Sequence, residues 1–313
     1  MDFFDINLSY NTRLCAVGFY VVIIFLTLTG LITSKFKHNS PACKTYNNRM
    51  KSLWVLIFLF TIALAYSKII GFVFFTVLSI LAFKEFFSMI EIKHHNVVNN
   101  FLIYAVIPIQ YYFLYIGNMM LFYIFIPLAM LLIVPIFKKL HGKDNNVIFH
   151  SLIIYVGLIL TVYALGYMGA FLTLPQNETV DGVSLLIFIL IFTLMNDFFQ
   201  AVFGNVFGRH KIVPVISPNK TYEGLIGGII ASIGLGLLMR GITPFGVIET
   251  VILSAILAVA GFIGDITMSA IKRRIGVKDT GTILPGHGGL LDRFDSIMLT
   301  APILYYYVLI EFC

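Results

Sequence analysis

The sequence predicts an all-α fold, a polytopic integral membrane bundle of about 9 to 10 transmembrane helices. Hydrophobic residues make up 59% of the 313 positions and charged ones only 12%, and the mean hydropathy of +0.95 lies far above soluble usage. Apolar runs recur at about the 20-residue length that crosses roughly 30 Å of hydrocarbon. Lys and Arg fall on alternate loops, the mark of a chain that threads a bilayer repeatedly.

In chain order the expected spans are 14–33, 50–66, 69–87, 101–116, 119–137, 149–173, 183–203, 225–240, 246–264 and 293–311. The first is a retained span rather than a leader, because its flank carries Asp2, Asp5 and Arg13 in place of a basic segment. The shorter runs must tilt or borrow their flanks. Lys68 and Gly117 mark the narrowest divides between neighbouring spans.

The loops between spans fix an expected orientation. All but three of the 21 basic residues lie in loops 34–51, 84–100, 138–147, 204–224 and 265–294, and the exceptions are Arg13, Lys68 and Arg240. Basic loops stay in the cytosol, so both termini are expected outside and the 265–294 loop inside. The short loop 175–182, with Glu178 and Asp181, is acidic and fits the translocated side. The net charge of +6 is thus a topology signal, and no nucleic-acid partner is expected. Cys15, Cys43 and Cys313 show no metal or disulfide spacing.

The chain reads as one integrated membrane domain with two unlike halves, N-terminal helices in 1–182 and a C-terminal catalytic region in 183–313. In the first half, Glu85 beside Lys84 reads as interfacial and His94-His95 as a solvated loop pair. In the second, Asp197, Glu223, Asp265, Asp279, Asp292 and Asp295 all fall at the expected cytosolic ends of spans or in cytosolic loops.

These carboxylates point to chemistry at one face. Asp265 and Asp292 lie on different helices whose ends can meet, and Asp292 and Asp295, spaced i and i+3, share a helical face. Hard oxygen ligands of this kind suit Mg²⁺, which prefers one or two carboxylates completed by substrate phosphates. The expected metal ligands are Asp265, Asp292 and Asp295. Lys272, Arg273, Arg274, Lys278 and Arg293 surround them as an anion clamp, and Gly288-Gly289 lead into a helix whose first amides favour phosphate. A second patch runs from Asn196-Asp197 to Ser217-Pro218-Asn219-Lys220-Thr221-Tyr222-Glu223-Gly224, in which Ser217 is the expected N-cap and Pro218 the first helical residue. Asp197 near the end of an apolar span requires a polar cavity or a partner.

The run Ser269-x-x-Lys272-Arg273-x4-Lys278-Asp279-x-Gly281-x3-Pro285-x-His287-Gly288-Gly289-x-x-Asp292-Arg293-x-Asp295 resembles the signature of the phosphatidate cytidylyltransferase (CDP-diacylglycerol synthase) family. The 217–224 patch resembles that family's second hallmark. The resemblance covers about the last 120 residues. It implies that CTP and phosphatidic acid give CDP-diacylglycerol and pyrophosphate with Mg²⁺ as cofactor, at a bacterial inner (cell) membrane, in a homodimer. Asp265, Asp292, Lys278 and Asp279 are then expected in catalysis. Ser217, Lys220, Lys272, Arg273, His287, Arg293 and Asp197 are expected to bind substrate. At Gln200-Ala201 the family commonly has Ala-Tyr, a departure that bears on the lipid acceptor. A polyprenol kinase or an ether-lipid cytidylyltransferase shares much of this chemistry. A membrane transporter fits less well, because the charges gather at one face and the halves are unrelated.

Overall fold

The computed structural model describes residues 67–90, 97–140, 147–175, 180–281 and 288–312, with scattered helical positions between 13 and 63. The first two expected spans, His94-His95 and His287 therefore lie outside the described residues or largely so.

The other eight expected spans all appear as helices. They are α1 (Lys68–Ser88), α2 (Val97–Tyr115), α3 (Met119–Leu140), a composite helix of α4 (Val147–Leu158), a π-helical turn (Ile159–Ala164) and α5 (Leu165–Ala170), then α6 (Gly182–Phe207), α7 (Tyr222–Leu238), α8 (Val247–Ile275) and α10 (Ile297–Phe312). A single turn, α9 (Leu291–Phe294), precedes α10. Among the described residues, four helices are long and apolar enough to cross a membrane by themselves: Lys68–Ser88, Ser151–Thr173, Gly182–Phe207 and Val247–Ile275. The shorter apolar helices pack between them, and the protein is an all-α polytopic membrane bundle. Its core is aromatic, with Phe75, Phe83, Phe122, Tyr167 and Phe188 almost wholly buried. The Tyr167 and Tyr306 hydroxyls, 2.7 Å apart, join α5 to α10 and satisfy polar atoms that hydrocarbon would leave unpaired.

Three local features differ from the sequence expectation. Helix α8 does not end at Gly264 but continues to Ile275, so Lys272, Arg273 and Arg274 form its last turn. Its 29 residues span about 43 Å, more than the hydrocarbon requires, and three cations at a helix C-terminus complement the dipole. Gly276, at φ 91°, then stops the helix in the left-handed region. Ser217 is not an N-cap: Ser217–Thr221 is strand β2, paired antiparallel with β1 (Lys211–Val213). The cap is Thr221, whose hydroxyl accepts from the Gly224 amide at 3.1 Å. The β-extended pairing wins because Glu223 ties the hairpin base to α7, accepting from the Arg209 and His210 amides and pairing with His210 Nδ1 at 2.6 Å. Finally, the last expected span is broken at Asp295-Ser296 between α9 and α10.

Loss of the true cap has a measurable cost. Thr221→Ala is expected to destabilise the protein by about 1 kcal/mol and Thr221→Ser by much less. Thermal unfolding of the purified protein in detergent checks this; equal midpoints for the Ala and Ser variants contradict it.

Candidate active site

The C-terminal ends of α6 and α8, the hairpin, and the α9–α10 junction meet at one end of the bundle. Lys220, carried on β2, reaches inward and pairs with Asp265 of α8, Nζ to Oδ2 at 2.5 Å. Its ammonium lies 5.3 Å from the centre of the Phe262 ring and donates to Gln200 Oε1 at 3.4 Å. Burial works against this charge, but Asp265 and Asp197 more than offset it and hold the ammonium above its ordinary range.

Two more carboxyls, of Asp197 and Asp295, lie near enough for their charge to act on Lys220. Asp197 of α6 accepts from Ser296 Oγ at 3.1 Å. Asp295 is 8% exposed, and its Oδ1 accepts from the Ser296 amide at 2.9 Å. Burial pushes the Asp295 carboxyl well above the usual carboxylate range, and the charges of Asp265 and Asp197 push it further. The junction can come this close because α8 has Gly264 there: a Cβ would stand 2.5 Å from the Asp295 carbonyl oxygen.

A buried amide network braces the α6 side. Asn196 Oδ1 accepts from Gln200 Nε2 at 3.1 Å and from Ser232 Oγ at 3.0 Å. Asn196 Nδ2 and Gln200 Nε2 both donate to the Ala258 carbonyl at 3.4 Å. Beside it opens a cavity of about 140 Å³ lined by Gln200, Ala201, Asn205, Asn219, Lys220 and Phe262 among others.

Asp292 stands in a different setting from Asp265 and Asp295. Its Oδ1 pairs with Lys272 Nζ at 2.6 Å, and its Oδ2 accepts from the amides of Thr280 and Gly289 at 2.9 Å and from Thr280 Oγ1 at 3.1 Å. These bonds close the motif loop around it. Burial works to raise this carboxyl, but Lys272 and the two amides hold it below the usual carboxylate range. Such a pair contributes stability that is present above the ordinary carboxylate pKa of about 3.9 and is lost as pH falls through the depressed value. The gap in thermal midpoint between unmodified protein and Asp292→Asn is therefore expected to be constant near neutrality and to close below about pH 4. A gap that persists unchanged into acid contradicts this.

The remaining expected site residues divide. Arg293 lies in the single turn α9, between Asp292 and Asp295. Arg273 is turned away, with Nε donating to the Ile216 carbonyl and Nη1 to the Val277 carbonyl, both at 3.3 Å. Ser217 stands opposite Val213 in the hairpin, and Lys278 and Asp279 are exposed beyond α8.

One participant escaped the sequence reading. Glu85 of α1 is 3% exposed, not interfacial, and its carboxylate accepts from the Leu290 and Leu291 amides at 2.9 Å. These are the first amides of α9, which the sequence offers to a phosphate; here a carboxylate of the same chain takes them. The available signal was a carboxylate within an apolar helix, which demands a partner.

Among the described residues no group of three or more His, Cys, Asp or Glu side chains stands ready to hold a metal ion. Mg²⁺ takes only one or two carboxylates and leaves its other positions to substrate phosphates and water, so Asp265, with Asp295, would suffice beside a bound nucleotide.

Residues 47–311 match the family described as "Cytidylyltransferase family". An uncharacterized protein of Escherichia coli, YnbB, is 37% identical over 264 residues, 83% of this chain and 86% of that protein. A phosphatidate cytidylyltransferase of Staphylococcus saprophyticus is 41% identical over 144 residues, 45% of this chain and 55% of the relative. One of Staphylococcus haemolyticus is 44% identical over 126 residues, 40% of this chain and 48% of the relative. The chain thus spans about half the length of the two named phosphatidate cytidylyltransferases.

Proposed function

We propose, from the premise that this chain belongs to the cytidylyltransferase family, that it transfers the cytidylyl group of CTP to phosphatidic acid, giving CDP-diacylglycerol and pyrophosphate. The observation that carries this reading is the half-buried Lys220–Asp265 ion pair at 2.5 Å beside the cavity, with Asp197 and Asp295 near enough for their charge to act on the ammonium.

A phosphate oxygen of the lipid attacks the α-phosphorus of CTP, a new P–O bond forms, and the bond to the β-phosphate oxygen breaks to release pyrophosphate. The nucleophile is already ionised near neutrality, so no general base is needed. The chain's task is in-line positioning and neutralisation of charge. Lys220 and Arg293 supply fixed positive charge beside the carboxylates. Each contact about 4 Å from a phosphate oxygen gains roughly 4 kcal/mol at an effective dielectric near 20. Asp265 and Asp295, with Asp197, would hold Mg²⁺, which when bound neutralises the nucleotide phosphates and orients them. Asp292 and Lys272 shape the loop around this centre. The cavity beside Gln200 and Ala201 gives room for the acceptor headgroup, and Phe262 forms its apolar wall.

The site faces the cytosol of a bacterial inner membrane, where CTP is available and the lipid headgroup lies at the surface. The basic loops of the sequence support that orientation. A homodimer remains an expectation of the family resemblance.

An acceptor panel tests the reading. Purified protein with CTP and Mg²⁺ is offered phosphatidic acid, an ether-linked phosphatidic acid and a polyprenol. Liponucleotide is expected from phosphatidic acid together with pyrophosphate. A phosphorylated polyprenol with CDP as the nucleotide product overturns it in favour of a kinase.

A further inference from the structure

We infer that Glu85, on the N-terminal helix α1, is a positioning residue that sets the active-site loop and thereby the α9–α10 junction. The inference rests on the reading of that junction as part of the catalytic centre.

Its geometry is a two-carboxylate clamp. Glu85 Oε1 accepts from the Leu290 amide and Oε2 from the Leu291 amide, both at 2.9 Å. Oε2 also faces Thr280 Oγ1 at 3.3 Å, and that same hydroxyl lies 3.1 Å from Asp292 Oδ2. Thr280 therefore sits between the two carboxylates, and its hydroxyl proton serves one or the other at a time. Asp292 in turn grips the Thr280 and Gly289 amides and Lys272. The two sides of the motif loop, 280–281 and 288–291, are thus tied together by one carboxylate from inside the loop region and one from about 200 residues earlier.

The motif's glycines are fitted to this carboxylate. A Cβ at Gly281 would meet Glu85 first, 2.8 Å from its Oε1; one at Gly289 would overlap the Thr280 hydroxyl and stand 2.5 Å from Glu85 Oε2. Gly281 thus makes room for Glu85, and Gly289 for both Thr280 and Glu85. Both carboxyl oxygens of Glu85 accept from the first amides of α9, a pattern that an amide side chain, with one oxygen and one NH2 group, cannot reproduce. From Leu291 the chain has only four residues to run before Asp295, so the clamp and the catalytic carboxylate move together.

The test uses the full-length protein in detergent or vesicles, with Glu85→Gln and Glu85→Ala, Gly281→Ala, and the Glu85→Ala/Gly281→Ala double variant. Glu85→Gln is expected to lower kcat roughly tenfold or more while KM for CTP stays within about twofold, because the residue orients the site without touching substrate. Backbone hydrogen exchange is expected to speed up at residues 288–292 and at Thr280, with α6 and α8 unchanged. Gly281→Ala is expected to reproduce the loss, and the double variant to lose less than the product of the two singles, since the new methyl fills the space the carboxyl leaves. Wild-type kcat in Glu85→Gln overturns the inference, as does faster exchange spread over the whole bundle, which marks a merely structural role. If the unmodified protein makes no liponucleotide, the functional reading fails, while the exchange pattern still decides whether Glu85 holds the loop.

Discussion

Asp265→Asn is expected to lower kcat/KM by a factor of about a thousand or more while leaving the protein folded. Asp265 is the direct partner of Lys220 at 2.5 Å, and its charge is among those that crowd Asp295. Replacing it removes both a candidate cation ligand and the anchor that aims the lysine. The fold does not depend on it in the same way, because the Lys220 and Asp265 side chains are 18% and 24% exposed and water can reach an ammonium left without its partner. The thermal midpoint is therefore expected to change little. Ser269→Ala is the matched control: it deletes the 3.3 Å hydrogen bond to Asp265 Oδ1 and is expected to cost less than tenfold. Steady-state assays with CTP and lipid vesicles measure both, and more than about a tenth of normal activity in Asp265→Asn contradicts the assignment.

Asp292→Asn is expected to fail differently, through loss of stability as well as activity. Its carboxylate and the Lys272 ammonium are a buried pair at 2.6 Å, with side chains only 8% and 10% exposed. Breaking such a pair leaves a buried charge uncompensated and costs roughly 3 kcal/mol or more. Replacing both members by apolar residues avoids that penalty. Lys272→Met/Asp292→Leu is accordingly expected to regain much of the thermal midpoint lost by the single variant without regaining activity, because the Thr280 and Gly289 amides still lack their acceptor. An Asp292→Asn protein as stable as the unmodified one, with an altered divalent-cation requirement, would instead make Asp292 a metal ligand.

The contrast between these aspartates shows what spacing along a chain conveys. Asp292 and Asp295 stand at i and i+3, and on an uninterrupted helix they would point the same way. The break between α9 and α10 separates their tasks, and nothing in the local sequence marks it. Helix existence was readable because about 20 apolar residues in a row have few alternatives. Helix ends were less so: hydropathy stops at Gly264, but hydrogen bonding carries α8 on through Lys272 until Gly276 ends it. Ser217-Pro218 suits a cap as well as a strand, and only the tertiary grip of Glu223 on the hairpin selects the strand. The candidate centre was legible in Asp265, Lys220 and Asp295, residues whose charge at a membrane face has no cheaper explanation. Glu85 was not, because its partners lie across the bundle and periodicity carries no record of them.

The central claim is that the lipid phosphate attacks the α-phosphorus of CTP at the Lys220–Asp265 centre. It is tested most directly by incubating the purified protein with phosphatidic acid vesicles, Mg²⁺ and CTP labelled at the α-phosphorus, and following the label into the lipid phase. The account predicts lipid-borne label in one-to-one ratio with released pyrophosphate, abolished in Asp265→Asn. Label that stays wholly in water-soluble nucleotide, or lipid labelling that persists in Asp265→Asn, contradicts it.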